Sequence, residues 1–184
     1  MNLLLVGLGN PGSKYQLNRH NAGFMFLDWL QKEKNDMSSE WKFDKYSDSE
    51  ISKITLHTHT SKIITVLSKP QTFMNLSGRS AHRLISVSNL ELPTLVVIHD
   101  DLDIRLGSFK IQKGVGPKVH NGLESIESSL KTKDFWRIRI GIDNRNSDYE
   151  GSGEGYVLSN FEKDEEKILQ SIFPEAIKKL LALI

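Results

Sequence analysis

Three short, nearly continuous apolar runs constrain this chain most: Leu3 to Val6, Ile63 to Leu67 and Leu95 to Ile98. Each is too short for a core helix and lacks strict alternation, so each suits a strand buried on both faces. Such strands need helices above and below them, and the intervening segments supply these. Phe24, Leu27 and Leu30, with Phe26 beside them, recur at helical spacing over 20–33. Ala81, Leu84, Ile85 and Val87 predict a helix after Ser77, and Leu123, Ile126 and Leu130 mark one face of another. Ile51 and Ile54 indicate a further strand. Ile138, Ile140 and Ile142 alternate with Arg137, Arg139 and Gly141, which is strand period. From Ile168 to Ile184 an apolar stripe predicts helix, with Pro174 kinking it or starting a second one. The expectation is a single α/β domain over residues 1–184: three layers, α/β/α, around a twisted, mixed, largely parallel sheet.

The absence of cysteine excludes a disulfide framework and thiolate metal sites. No apolar run reaches the roughly 18 residues of a membrane span. The apolar N-terminus lacks a basic start and runs quickly into glycine and proline, unlike a signal peptide. A cytoplasmic location is expected. The net charge of +1 hides an uneven distribution. Residues 1–104 balance, residues 105–145 carry a net +5 and residues 146–184 a net −4. The middle segment is either a phosphate-facing surface or a solvated charged face.

Gly7-Leu8-Gly9-Asn10-Pro11-Gly12 matches the G-x-G-x-x-G pattern of dinucleotide sites and follows a predicted strand. The mechanism argues against that reading. The third glycine of such a motif opens a helix whose N-terminus holds pyrophosphate. Here Asn10-Pro11-Gly12 makes a turn, and helical spacing begins only near His20.

Polar residues poorly suited to a core cluster in four places: Asn10 to Tyr15, Arg19-His20-Asn21, Phe73-Met74-Asn75, and His99-Asp100 with the later His120-Asn121-Gly122. All fall at expected strand ends or loops, where α/β sheets carry function. Bland roles stay open: Asn75 near a helix start suits a cap. Asp100, Asp101 and Asp103 suit a hard cation, although alternation sends Asp101 away from Asp100. The alternation of His57 and His59 suits either a metal site or an exposed strand face, the latter being expected, and His82 and His99 have no evident partner.

The stretches VGLGNPG with Tyr15, RHNAG, TFMNLSG, HDDLD with Gly107, Phe109-Lys110, HNGL and RIRIGI occur in this order up to about residue 160. In these motifs the chain resembles the bacterial peptidyl-tRNA hydrolase family. The resemblance implies hydrolysis of the ester between a peptide and the 3′ ribose of tRNA, without metal or cofactor, by a cytoplasmic monomer serving translation. It implies His20 as general base, a role suited to a near-neutral pKa. Asp100 matches the carboxylate that orients it. Asn10 matches the residue that recognises the blocked, peptide-like end. Asn75 and Asn121 have amides able to hold the water or substrate carbonyl and donate to the oxyanion. Tyr15, Phe73 and Met74 are expected to line the channel for the peptide and terminal nucleotide. Lys110 and Arg139 match positions that grip acceptor-stem phosphate. The alternative is a non-catalytic RNA-binding relative, as in the chloroplast intron-splicing branch of the family. A third class is a metal-dependent hydrolase built on the aspartates.

The chain departs from the family pattern in four places. Asn18 replaces Thr or Ser, Glu124 a basic residue, and Asp143 a glycine. Gly114-Val115-Gly116-Pro117-Lys118-Val119 replaces a loop with two glycines before His-Asn-Gly. That loop covers the site in relatives, so its change bears on the placement of Asn121.

Overall fold

The computed structural model describes residues 2–34, 38–58, 61–88 and 95–184. His59 therefore lies outside the described residues. Seven strands form one sheet: β1 (Asn2–Gly7), β2 (Lys42–Asp44), β3 (Ser49–His57), β4 (Lys62–Pro70), β5 (Leu95–Arg105), β6 (Phe109–Lys113) and β7 (Trp136–Asp143). Their order is β2-β3-β4-β1-β5-β7-β6. The β4, β1, β5 and β7 strands are mutually parallel, while β3 and β6 run opposite at either side. The mixed, largely parallel α/β architecture is as expected.

Alternation along the strands divides the core. Leu3 and Leu5 of β1 and Ile98 of β5 face α1 (Ala22–Glu33) and α6 (Phe173–Leu183), where Phe26 meets Phe173 at 5.0 Å between ring centres. Leu4, Val6 and Val97 face α2 (Ser77–Ser88) and α3 (Asn121–Leu130), packing on Ala81, Leu84, Leu123 and Ile126. Each fully buried large side chain contributes about 1.5–3 kcal/mol. Two further helices, α4 (Gly153–Val157) and α5 (Lys163–Ser171), precede α6. Pro174 stands in the first turn of α6, so it starts a second helix rather than kinking one.

Two strands differ from the sequence reading. The β5 strand does not stop before the acidic cluster but runs through it to Arg105. The β7 strand alternates in sequence yet is buried on both faces, so Arg137 and Arg139 are buried along with the isoleucines. The β6 strand itself shows alternation, Phe109 and Ile111 facing the core beside Ile138 and Ile140, but it is only five residues long.

The parallel strands bring their C-terminal ends to one edge, the usual site of function on such sheets. Gly12, with φ of 105°, turns the chain back after β1. The start of α1 then seats directly on the strand ends: a Cβ on Gly23 would lie 2.3 Å from the Ile98 carbonyl oxygen. That close approach sets the turn carrying His20 above the end of β5. Among the described residues no helix is long and apolar enough to cross a membrane.

Candidate active site

His20 lies in a single 3₁₀ turn, Arg19–Asn21, just before α1. The turn is held from outside the helix. Arg19 is buried between the rings of Tyr156 and Phe161, donates to Ser159 Oγ and to the Asn160 carbonyl, and pairs with Glu165. Asn18 donates to Asn160 Oδ1. The chain around α4 and α5 thus fixes the turn in place.

His20 Nδ1 meets both oxygens of Asp100, at 2.9 and 3.0 Å. A carboxylate only accepts, so Nδ1 carries the hydrogen and Nε2 keeps its lone pair. Burial disfavours the imidazolium, but the adjacent Asp100 charge and hydrogen bond outweigh it, and the His20 pKa lies above the ordinary 6.5. Burial alone would raise the Asp100 pKa, yet the imidazoles of His20 and His120 hold it well below the usual carboxylate range.

His120 is a member of this site that the sequence reading named without assigning a role. Its Nε2 donates to Asp100 Oδ1 at 3.1 Å. Its Nδ1 accepts from the backbone N–H groups of Gly122 and Leu123, capping α3. Those two amides fix the neutral Nε2–H tautomer. His20, Asp100 and His120 bring three ligand-type atoms within 4.8 Å of one another. A cation there would need the nitrogen that already donates its hydrogen, so the donor set does not fit a metal. His120→Ala removes both the cap and one donor to a buried carboxylate. We expect a loss of about 1–3 kcal/mol of stability, measured by denaturant unfolding.

The other aspartates do not assemble around a cation either. Asp101 pairs with Arg139 at 2.7 Å on the opposite face, as alternation required, and Asp103 is exposed. His99 is fully buried, with Nδ1 bonded to the Asp100 carbonyl oxygen at 2.6 Å, and burial keeps its pKa far below 6.5. His57 and His82 are exposed.

A groove of about 690 Å³ opens beside the pair. Asn10, His20, Phe73, Met74, Asn75, Asp100 and Asn121 all line it. Asn10 is clamped by Asn21, whose amide exchanges two hydrogen bonds with the Asn10 backbone. The Met74 N–H donates to Asn10 Oδ1 at 2.9 Å. This identifies the oxygen and leaves Nδ2 without a protein partner among the described residues. Asn75 and Asn121 are exposed and their side chains make no hydrogen bond among the described residues, so Asn75 is not a cap. Tyr15 is not part of the lining and packs edge-on against Phe73 at 6.5 Å. Pro117, Lys118 and Val119 of the 114–119 loop also line the groove, as do Leu102, Val157 and Leu158. The loop change therefore leaves Asn121 on the groove.

The two expected phosphate contacts part company. Lys110 is exposed and has no carboxylate partner among the described residues. Arg139 is buried, with Nε on Asp101 Oδ2 at 2.7 Å and Nη1 on Gln112 Oε1 at 2.6 Å. It is not a free surface cation, so the phosphate role expected for it needs revision. Pairing also absorbs Lys113, Lys133, Arg137 and Arg145, so the net +5 overstates the basic surface. Lys118, overlooked in the sequence reading, is exposed and lines the groove.

The family profile described as peptidyl-tRNA hydrolase matches residues 4–184. A peptidyl-tRNA hydrolase of Geotalea daltonii is 44% identical over 162 residues, covering 88% of this chain and 79% of that protein. Another, from Thermodesulfovibrio yellowstonii, is 40% identical over 192 aligned positions, covering 99% and 92%. The crystal structure of the Acinetobacter baumannii peptidyl-tRNA hydrolase superposes with a TM-score of 0.81 at 30% identity, covering 98% of this chain and 87% of that one.

Proposed function

The chain belongs to the peptidyl-tRNA hydrolase family, and we propose that it cleaves the ester between peptide and tRNA with water activated by His20. The observation that carries this mechanism is the two-oxygen contact of Asp100 with His20 Nδ1, which leaves Nε2 free on a substrate-sized groove. Nε2 takes a proton as the water oxygen bonds to the ester carbonyl carbon. Asp100 stabilises the resulting imidazolium, and His120 donates the second hydrogen bond that keeps Asp100 ionised and in place. The tetrahedral oxyanion is stabilised by amide donors, for which Asn10 Nδ2, Asn75 and Asn121 are the groups on the groove. Collapse breaks the bond to the ribose 3′ oxygen, which takes the proton back from Nε2. The products are a free peptide acid and tRNA.

Phe73 and Met74, with Tyr15 supporting Phe73, provide apolar surface for the peptide or terminal base. Lys110 and Lys118 serve the acceptor-stem phosphates. Lys110→Ala is expected to weaken tRNA binding at low salt and to reduce the slope of log K against log salt by about one. Filter binding over a salt series measures it, and an unchanged slope removes Lys110 from the interface. The reading includes a cytoplasmic monomer acting without cofactor. Its first test is release of the acid from an N-acetylated aminoacyl-tRNA, which proceeds undiminished in chelator. A purely RNA-binding role is not favoured, because the His20–Asp100 pair and an open groove are both intact.

A further inference from the structure

We infer that Asp101 and Arg139 are positioning residues, pinning the β5 backbone so that Asp100 and the adjoining groove wall are held in register. The inference rests on the His20–Asp100 reading above. The parallel ladder of β5 with β7 is regular from Val96↔Trp136 to Asp101↔Gly141, then resumes at Arg105↔Asp143. Leu102, Asp103 and Ile104 therefore stand opposite Ile142 alone, so β5 carries a two-residue bulge. Bulges of this kind re-aim side chains beside active sites. Here the bulge begins at Leu102, two residues after Asp100, and presents Leu102 and Asp103 to the groove.

The Asp101 side chain holds the entry to that bulge. Its Oδ1 accepts the Asp103 backbone N–H at 2.9 Å, and its Oδ2 takes Arg139 Nε at 2.7 Å. The side chain is wholly inaccessible. Arg139 sits on β7 opposite His99, and Gln112 of β6 holds its Nη1. A buried carboxylate with both oxygens committed, one to the bulge itself and one to the neighbouring β7 strand, fixes where the strand leaves the ladder. Removing either partner frees the bulge and strands a buried charge. Displacement of Asp100 follows, because it precedes Asp101 directly and its side-chain partners among the described residues are His20 and His120.

The charged and titratable groups around the dyad are His20, His120 and the buried His99, with Arg137 beyond. Lys118, Asp103 and Glu154 lie along the groove. None of these changes in Asp101→Asn, which keeps the shape of the side chain and its acceptor for Asp103. The readouts are kcat, KM and the pH profile with N-acetyl-aminoacyl-tRNA, plus tRNA binding against salt. A positioning role predicts a kcat loss of about 10- to 100-fold, with KM within about 3-fold. It also predicts that the acid limb of the pH profile moves down, since a slackened Asp100 raises the His20 pKa less. Asp101→Glu, which restores the charge, should recover part of the rate. If Asp101→Asn does not fold, Arg139→Lys carries the same readouts, because it keeps the charge but not the fork. A folded Asp101→Asn with wild-type kcat and an unmoved acid limb overturns the inference. So does an Arg139→Lys effect confined to tRNA affinity and salt slope, which marks a phosphate contact. A wild type inactive on this substrate, or a His20→Ala variant as fast as wild type, strikes the dyad itself and is told apart by that result.

Discussion

Replacing His20 by alanine is expected to lower kcat by about 100- to 10,000-fold, the range supplied by a positioned general base. The loss belongs in kcat rather than KM, because the groups expected to grip the substrate remain. Asn10 is clamped by Asn21 and by the Met74 amide, Phe73 by neighbours that do not include His20, and Lys110 lies on a different strand. The 3₁₀ turn also survives the substitution, since Arg19 ties it to Ser159, Asn160 and Glu165 independently of His20. Residual turnover comes from the amide donors and from substrate binding.

Asp100→Asn is expected to be nearly as severe, and its signature is different. Asparagine can offer His20 an N–H where a hydrogen-bond acceptor is needed, which favours the wrong tautomer; comparable changes in other His–Asp pairs cost about 10,000-fold. The pH profile separates this from a merely disrupted fold. The active form of His20 is neutral, so activity falls as pH drops through its pKa. In the wild type Asp100 places that pKa above 6.5, and the acid limb of kcat/KM should titrate there. Without the carboxylate, burial dominates and favours the neutral ring, so the limb should move below 6.5. Rate measurements from pH 5 to 9 with folding followed by circular dichroism make the check. A limb that stays in place means that Asp100 does not set the charge of His20.

The layers of the fold were legible because most rest on a strong local pattern: the buried runs of β1 and β5, and the helical spacing of α1 to α3; the apolar run of β4 located a strand but not its exposed face, where Ile64 stands. His20 and Asp100 were legible through short motifs with characteristic order. The environment of Arg139 was not. Its alternation with isoleucine suggests a wet face, but both faces of β7 are covered in the folded sheet, and its partners Asp101 and Gln112 come from β5 and β6, neighbours that appear only when the sheet assembles. For the same reason Asp101 could be directed away from Asp100 by period alone, while its pairing with Arg139 could not be foreseen. His120 was hidden differently. It stands 20 residues from Asp100, and its role depends on opening α3 with its ring nitrogen as the cap. The signals it did give were its place beside Asn121 in a polar stretch and at the head of the HNGL motif, neither of which points to Asp100. Arg19 and Asn21 flank the base in sequence, so their company with His20 was visible. What each holds, Asn160 and Glu165 for one and Asn10 for the other, is a long-range fact.

The central claim is that the His20 imidazole removes a proton from attacking water. Chemical rescue tests it most directly: hydrolysis of N-acetyl-aminoacyl-tRNA by His20→Ala, with and without added imidazole, across pH. The groove is open to solvent, so a small base can reach the vacated position. The account predicts a rate that rises with imidazole concentration and follows its free-base fraction, saturating as pH passes the imidazole pKa. A rescue that follows the imidazolium fraction, or a His20→Ala enzyme that keeps the wild-type kcat unaided, would contradict it.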